Sequence, residues 1–177
     1  AVPLVADARL GLEALTEGLS GHRVDDSYVQ GYSEHKDRWN GVVDQAFHLD
    51  HQPLPAQTEI LGALNEAVGP DAVVVQAAGS MPGDLQMLWR AQDPKQYHVE
   101  YAFSCMGYEI AGALGVKMAA PEREVYALVG DGSYLRMAQE IVTAVSEGIK
   151  LVLVIVQNHG FSSIGSLSES LGSQRFG

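Results

Sequence analysis

Positive charge is scarce in this sequence: 11 Lys and Arg stand against 22 Asp and Glu, for a formal net charge of -11 at pH 7. The few basic residues form no block, which argues against a nucleic-acid surface. There is one cysteine, Cys105, so no internal disulfide forms. That fits a reducing compartment, and a cytoplasmic protein is expected. No apolar run approaches the ~20 residues needed to cross a bilayer. The H-E-x-x-H, P-loop and nucleophile-elbow motifs are also missing, which removes the commonest signatures of zinc proteases, nucleotide hydrolases and esterases.

What is present is globular in composition, with 46% hydrophobic and 19% charged residues. At 177 residues a chain buries roughly 70% of its unfolded surface, enough for one full domain plus further pieces. Two loops organise the rest. Gly130-Asp131-Gly132-Ser133 follows the apolar run Val125 to Val129, and Gln157-Asn158-His159-Gly160 follows Leu151 to Val156. Unbroken Val, Ile and Leu runs suit strands of a parallel sheet covered on both faces. Between them Leu135, Ala138, Ile141, Val142 and Val145 recur at the spacing of one helix face, and Gly148 sits where a helix stops. The unit is strand, helix, strand. A right-handed crossover returns both strands to one sheet edge, so Asp131 and Asn158 are expected side by side outside the strands' carboxyl ends, where open α/β sheets bind ligands.

One carboxylate, one amide oxygen and a nearby main-chain carbonyl are hard ligands, too few to enclose a cation alone. Mg²⁺ is often held in this incomplete way, with phosphate oxygens and water finishing its octahedron. Gly130 and Gly132 flank Asp131 and let backbone approach a ligand, and the amides opening the next helix favour an anion. Neither loop carries Lys or Arg, so a divalent cation and backbone N–H groups would neutralise a bound diphosphate. A plainer reading stands beside this one: Asp131 as a helix cap in a common Asp-Gly turn.

The pairing of a GDG turn with an Asn one crossover later resembles the diphosphate and metal motif of thiamine-diphosphate enzymes. The resemblance implies Mg²⁺ held by Asp131, Asn158 and the carbonyl of Gly160, with Ser133 facing the diphosphate. It also implies an α/β three-layer αβα sandwich with a mainly parallel sheet. His159 adjoins the metal loop and is a further cofactor-side candidate, able to move protons near neutral pH, with a plain surface role as the reading beside it.

Earlier in the chain, Val2 to Val5 reads as a short strand, followed by a helical stripe of Ala8, Leu12, Leu15 and Leu19. One strand and one helix build no core, so residues 1–20 are expected to be the closing elements of a central domain. Residues 21–55 turn polar and read as a structureless interdomain connection, stiffened at its end by Pro53 and Pro55. The cofactor-binding domain is then 56–177. Within it Thr58 to Val68 is a helix ended by Gly69-Pro70, and Ala72 to Val75 is the next buried strand. The loop Ala77 to Gly83 follows, where the resemblance implies diphosphate contacts from Gly79 and Ser80. A helix is expected around Leu85 to Arg90 and a short strand at His98 to Tyr101. Ser104 to Tyr108 then opens a helix ended by Pro121. The resemblance makes Met106 the apolar prop that keeps the cofactor bent; a lone Met is otherwise a core filler. Ser162 to Ser168 is flexible in composition and suited to folding over the diphosphate.

Several phrases, Ala77 to Gln86, Glu100-Tyr101, Gly107 to Ile110, Val129 to Tyr134 and Asn158 to Phe161, look like the branch of the family that hydrolyses a cyclic diketone in myo-inositol breakdown. That branch implies ring C–C cleavage ending in water addition and a 5-deoxyglucuronate product. Acetolactate synthase and glyoxylate carboligase share the metal motif and are the alternative. A non-catalytic phosphate- or nucleotide-binding module is an alternative of another class. The family's glutamate on a pyrimidine-binding domain is not recognisable in these residues, so this chain is expected to be a segment of a longer polypeptide. Its site would lie between subunits of a homodimer or homotetramer.

Overall fold

The structure is a computed structural model and describes residues 3–175. Two compact units divide the chain, Ala1–Val42 and Val43–Gly177. In the first, helix α1 (Ala8–Gly18) begins at Asp7, whose Oδ1 accepts from Arg9 N and Leu10 N, both at 3.1 Å. Two of the helix's orphan amides are thereby satisfied. The expected apolar stripe is there, but Leu12, Leu15 and Leu19 are exposed. The strand expected before it does not form: residues 3–5 have no regular structure, and Val2 lies outside the described residues.

The expectation of a structureless stretch over residues 21–55 is corrected by α2 (Asp26–Phe47), a helix of 22 residues. It escaped notice because only Val43 and Phe47 on it are buried, so no long apolar stripe marks it. Local pairs one turn apart support its exposed surface, such as Gln30 Nε2 donating to Glu34 Oε1 at 3.0 Å.

The second unit holds α3 (Gln57–Ala67), β1 (Val73–Gln76), α4 (Met81–Leu88), β2 (Tyr97–Val99), α5 (Tyr108–Ala119), β3 (Val125–Gly130), α6 (Asp131–Met137), α7 (Glu140–Ser146), β4 (Val152–Val156) and α8 (Ser162–Ser170). All strand pairs are parallel, in the order β2-β1-β3-β4. Alternate residues of each strand serve two cores. Val74, Leu128 and Val156 pack with Leu61 of α3 and Met81, Leu85 and Leu88 of α4. Val73, Val75, Val125 and Ala127 pack against Ala113 and Tyr108 of α5. Helices on both faces make the expected three-layer αβα sandwich, and they explain why the strand sequences do not alternate.

Three local expectations change. The helix between the two loops is two helices: at Ala138 and Gln139 the turn tightens, with Ile141 N and Val142 N donating three residues back, to Ala138 O and Gln139 O. Its sequence stripe also faces outward at Leu135, Val142 and Val145, while the small residues Gly132, Ser133 and Ala144 are the buried ones. The last strand is an edge among the described residues, so most of its residues are half-buried and Ile155 is exposed. Finally, Ser162 to Ser168 is helical, the start of α8, with Gly165 its one buried residue and Ile164 and Leu167 exposed. No helix among the described residues is long and apolar enough to cross a membrane.

Candidate functional site

A cavity of about 270 Å³ opens at the carboxyl ends of β1, β3 and β4. Four segments line it: Ala78-Gly79-Ser80 after β1, Ser104 and Met106 before α5, Gly130 at the end of β3 with Gly132 and Ser133 in the first turn of α6, and Asn158 with Gly160 to Ile164 after β4. The register explains the meeting of the last two. Gly130 pairs with Val156, so Asp131 and the loop beginning at Gln157 leave the sheet side by side.

Asp131 is held by backbone: Oδ1 accepts from Gly132 N at 2.9 Å and Oδ2 from Gly160 N at 3.0 Å. The left-handed turn at His159 and the positive φ of Gly160 curl this loop back toward the carboxylate. Hydrogen bonding orients the Asn158 amide with its nitrogen donating to Asp131 Oδ1 at 3.0 Å and Gly160 O at 2.8 Å, and its oxygen accepting from Ser162 Oγ at 2.8 Å. In the protein alone the amide nitrogen thus occupies a point between two oxygens. A half-turn of the amide puts its oxygen at that point, 3.0 and 2.8 Å from the other two. Those separations match the edge of an octahedral Mg²⁺ shell, about 2.9 Å for bonds of 2.0–2.1 Å. Ser162 Oγ serves either orientation, since a hydroxyl both donates and accepts. The donor set of Asp131, Asn158 and Gly160 therefore fits a small hard cation.

Gly79, Ser80, Met106, Gly130, Gly132 and Ser133 all line the cavity, as the sequence suggests. Gly132 is required by closeness, because a Cβ there would stand 2.8 Å from the Phe161 ring. Gly107, at φ 95°, starts α5 beneath Met106 and leaves room for Met137, whose Cβ lies 2.6 Å from where a Gly107 side chain would begin. The side chains of three expected residues are either engaged within the protein or exposed. The Ser133 hydroxyl donates to Glu109 Oε2 at 2.9 Å, while accepting from Gly107 N at 2.7 Å. The Ser80 hydroxyl donates to Gln57 Oε1 at 3.1 Å. His159 does not line the cavity; it is exposed, with Nδ1 3.5 Å from Gln157 Nε2. Its left-handed backbone carries the side chain away from the side that Gly160 presents to Asp131.

Sequence reasoning assigned no individual role to Glu109, Ser162, Phe161 or Gln57. Glu109 had a visible signal, an acid in the first turn of a helix whose next residues are Ile110, Ala111, Gly112, Ala113 and Leu114. The others carry none, because Gln57 reaches the loop from another helix and Ser162 acts through Asn158. Glu100 completes the setting: it accepts from Cys105 N at 2.8 Å and Phe103 N at 3.0 Å, and these amides hold its carboxyl below the usual glutamate range. Its contacts pin the loop just before Met106.

Residues 77–177 match the family model described as "Thiamine pyrophosphate enzyme, C-terminal TPP binding domain". Among curated proteins the chain is similar to a "3D-(3,5/4)-trihydroxycyclohexane-1,2-dione hydrolase" of Geobacillus thermodenitrificans, 43% identical over 99% of this chain and 31% of the relative. Proteins of the same description from Bacillus cereus and Clostridium tetani are 37% and 34% identical, over 100% and 99% of this chain and again 31% of each relative. The chain thus spans about a third of the length of the curated relatives it matches. With the family model covering more than half of its residues, and the cavity built on the loops that model includes, the chain belongs to the thiamine pyrophosphate enzymes, as their C-terminal TPP-binding domain.

Proposed function

We propose that this chain supplies the diphosphate- and metal-binding half of a thiamine-diphosphate-dependent hydrolase that opens the ring of 3D-(3,5/4)-trihydroxycyclohexane-1,2-dione by C–C cleavage, giving 5-deoxyglucuronate. The observation that carries the site is the convergence of Asp131, Asn158 and Gly160 around one point. Asp131 would give the charge and Asn158 and Gly160 neutral oxygens to a bound Mg²⁺, leaving room for diphosphate and water as further ligands. Gly79, Gly130, Gly132 and Met106 line one cavity, which supports glycines that would let backbone approach the phosphates and a Met106 that would act as the apolar prop. Thiamine diphosphate supplies a carbanion equivalent at its thiazolium ring; the protein supplies position and electrostatics. The substrate is supported by the relatives' descriptions, which all print the same hydrolase.

Calorimetry on the full-length protein tests the site. Thiamine diphosphate should bind in the presence of Mg²⁺, and Asp131→Ala should abolish that metal-dependent binding, whereas loss of a mere helix cap costs only about 1 kcal/mol of stability. Nucleotide binding without thiamine diphosphate binding would point instead to a non-catalytic phosphate module. Supplying the cyclic diketone and, separately, pyruvate separates a hydrolase from an acetolactate synthase or glyoxylate carboligase-like ligase. The catalytic glutamate would come from a part of the protein outside this chain, and a homodimer or homotetramer would bring it to the cavity. The exposed Leu135, Val142 and Val145 support such an assembly.

A further inference from the structure

Glu109 is fully buried, and every partner it has in the structure is a donor. Its Oε1 accepts from Ala78 N at 3.3 Å and from the Ser133 hydroxyl at 3.0 Å. Its Oε2 accepts from Gly107 N at 2.9 Å and from the same hydroxyl at 2.9 Å. These donors come from three separate segments that line the cavity: the loop after β1, the turn that opens α5 behind Met106, and the first turn of α6, which begins at Asp131 directly after β3. Asp131, Asn158 and Gly160 make no hydrogen bond to Glu109, and among the described residues its partners include no cationic side chain. A buried acid is costly unless its hydrogen bonds are made, so the loops are held where those bonds can form.

We infer that Glu109 is a positioning residue for the cofactor site, fixing the spacing of three loop tips before the diphosphate arrives. The inference rests on the thiamine-diphosphate reading above and adds to it. A preformed pocket does not spend binding free energy on ordering its loops. Loosening Glu109 therefore weakens cofactor binding more than it changes chemistry at saturation. It also assigns Ser133 a role through Glu109 rather than through direct contact with phosphate.

Glu109→Gln is the informative change, since it keeps size and shape. Both carboxylate oxygens face backbone N–H groups, so either amide orientation sets an NH₂ against Ala78 N or Gly107 N. In the full-length protein with Mg²⁺, calorimetry should show the affinity for thiamine diphosphate falling about tenfold or more. The Michaelis constant for cofactor should rise in step, with kcat at saturating cofactor kept within about twofold. Ser133→Ala should weaken binding by itself but add little in the Glu109→Gln background, because both changes loosen the same network. Unchanged affinity in Glu109→Gln, with at most a lower Tm, would reduce Glu109 to a structural role and overturn the inference. Full additivity with Ser133→Ala would overturn it too, by showing that Ser133 acts independently. If Glu109→Gln gives no folded protein, Glu109→Asp takes its place in the same cycle, being too short to reach all three loops. A wild-type protein that binds no thiamine diphosphate overturns the parent reading along with this one; wild-type binding with an indifferent Glu109 overturns this one alone.

Discussion

Gly132 shows how two opposed effects are weighed at one residue. Alanine would favour the helix α6 by up to about 1 kcal/mol over glycine. Its Cβ, however, would stand 2.8 and 2.9 Å from two Phe161 ring carbons and 3.5 Å from Gly160 O. Forcing a group into a filled space typically costs about 1–3 kcal/mol, so the clash outweighs the propensity. Gly132→Ala is expected to lower Tm and weaken Mg²⁺-dependent cofactor binding, since Phe161 leads the loop residue Gly160 when it moves; a raised Tm with unchanged binding would refute this. Glu100 gives a pH dependence. Its amide partners Cys105 N and then Phe103 N depress its folded-state pKa, so the ionised form favours the folded loop. That contribution is present above the unfolded value, about 4.3, and is lost as pH falls through the folded one. Protection of the Cys105 amide from hydrogen exchange should therefore decline on acidification through that window, and Glu100→Gln should remove the decline.

At the scale of elements, much of the β1 to β4 region was legible because the central strands β1 and β3 are largely buried and the helices α3, α5 and α7 run into Gly69-Pro70, Pro121 and Gly148. The helices that misled are those whose burial is small. Along α2 only two positions are buried, so its polar surface read as a connection. In α6 and α7 the large apolar residues point outward and the inward contacts are made by glycine, serine and alanine, which carry no hydropathy signal. By contrast α3 announces itself. Leu61 is its fully buried residue, wedged among Val74, Leu85 and Phe47 in one core cluster. Leu61→Ala should cost about 2–5 kcal/mol of stability, measured by denaturant unfolding, with the m-value unchanged. A loss below about 1 kcal/mol would mean that the α3 face is not the core it is taken to be.

At the scale of the molecule, the apolar residues left outside are as informative as those within. Leu135, Val142 and Val145 are 80%, 68% and 75% exposed, beyond what a polar surface explains. If a homo-oligomer covers them, Val142→Glu with Val145→Glu should shift the full-length protein toward smaller species in sedimentation velocity; an unaltered distribution would place the subunit contact elsewhere. The sequence by itself determined the parallel αβα sheet and the pairing of Asp131 with Asn158, because both depend on hydrophobic period and on the length of one crossover. Tertiary structure alone decided how those groups are used: the Asn158 amide is set by Ser162, the Ser133 hydroxyl is taken by Glu109, and His159 is turned outward. The Ser133–Glu109 bond joins residues 24 positions apart and follows from where chain segments end in space. The Asn158–Ser162 contact and the left-handed turn at His159 follow from how one loop folds back onto Asp131, and no spacing in the sequence encodes either.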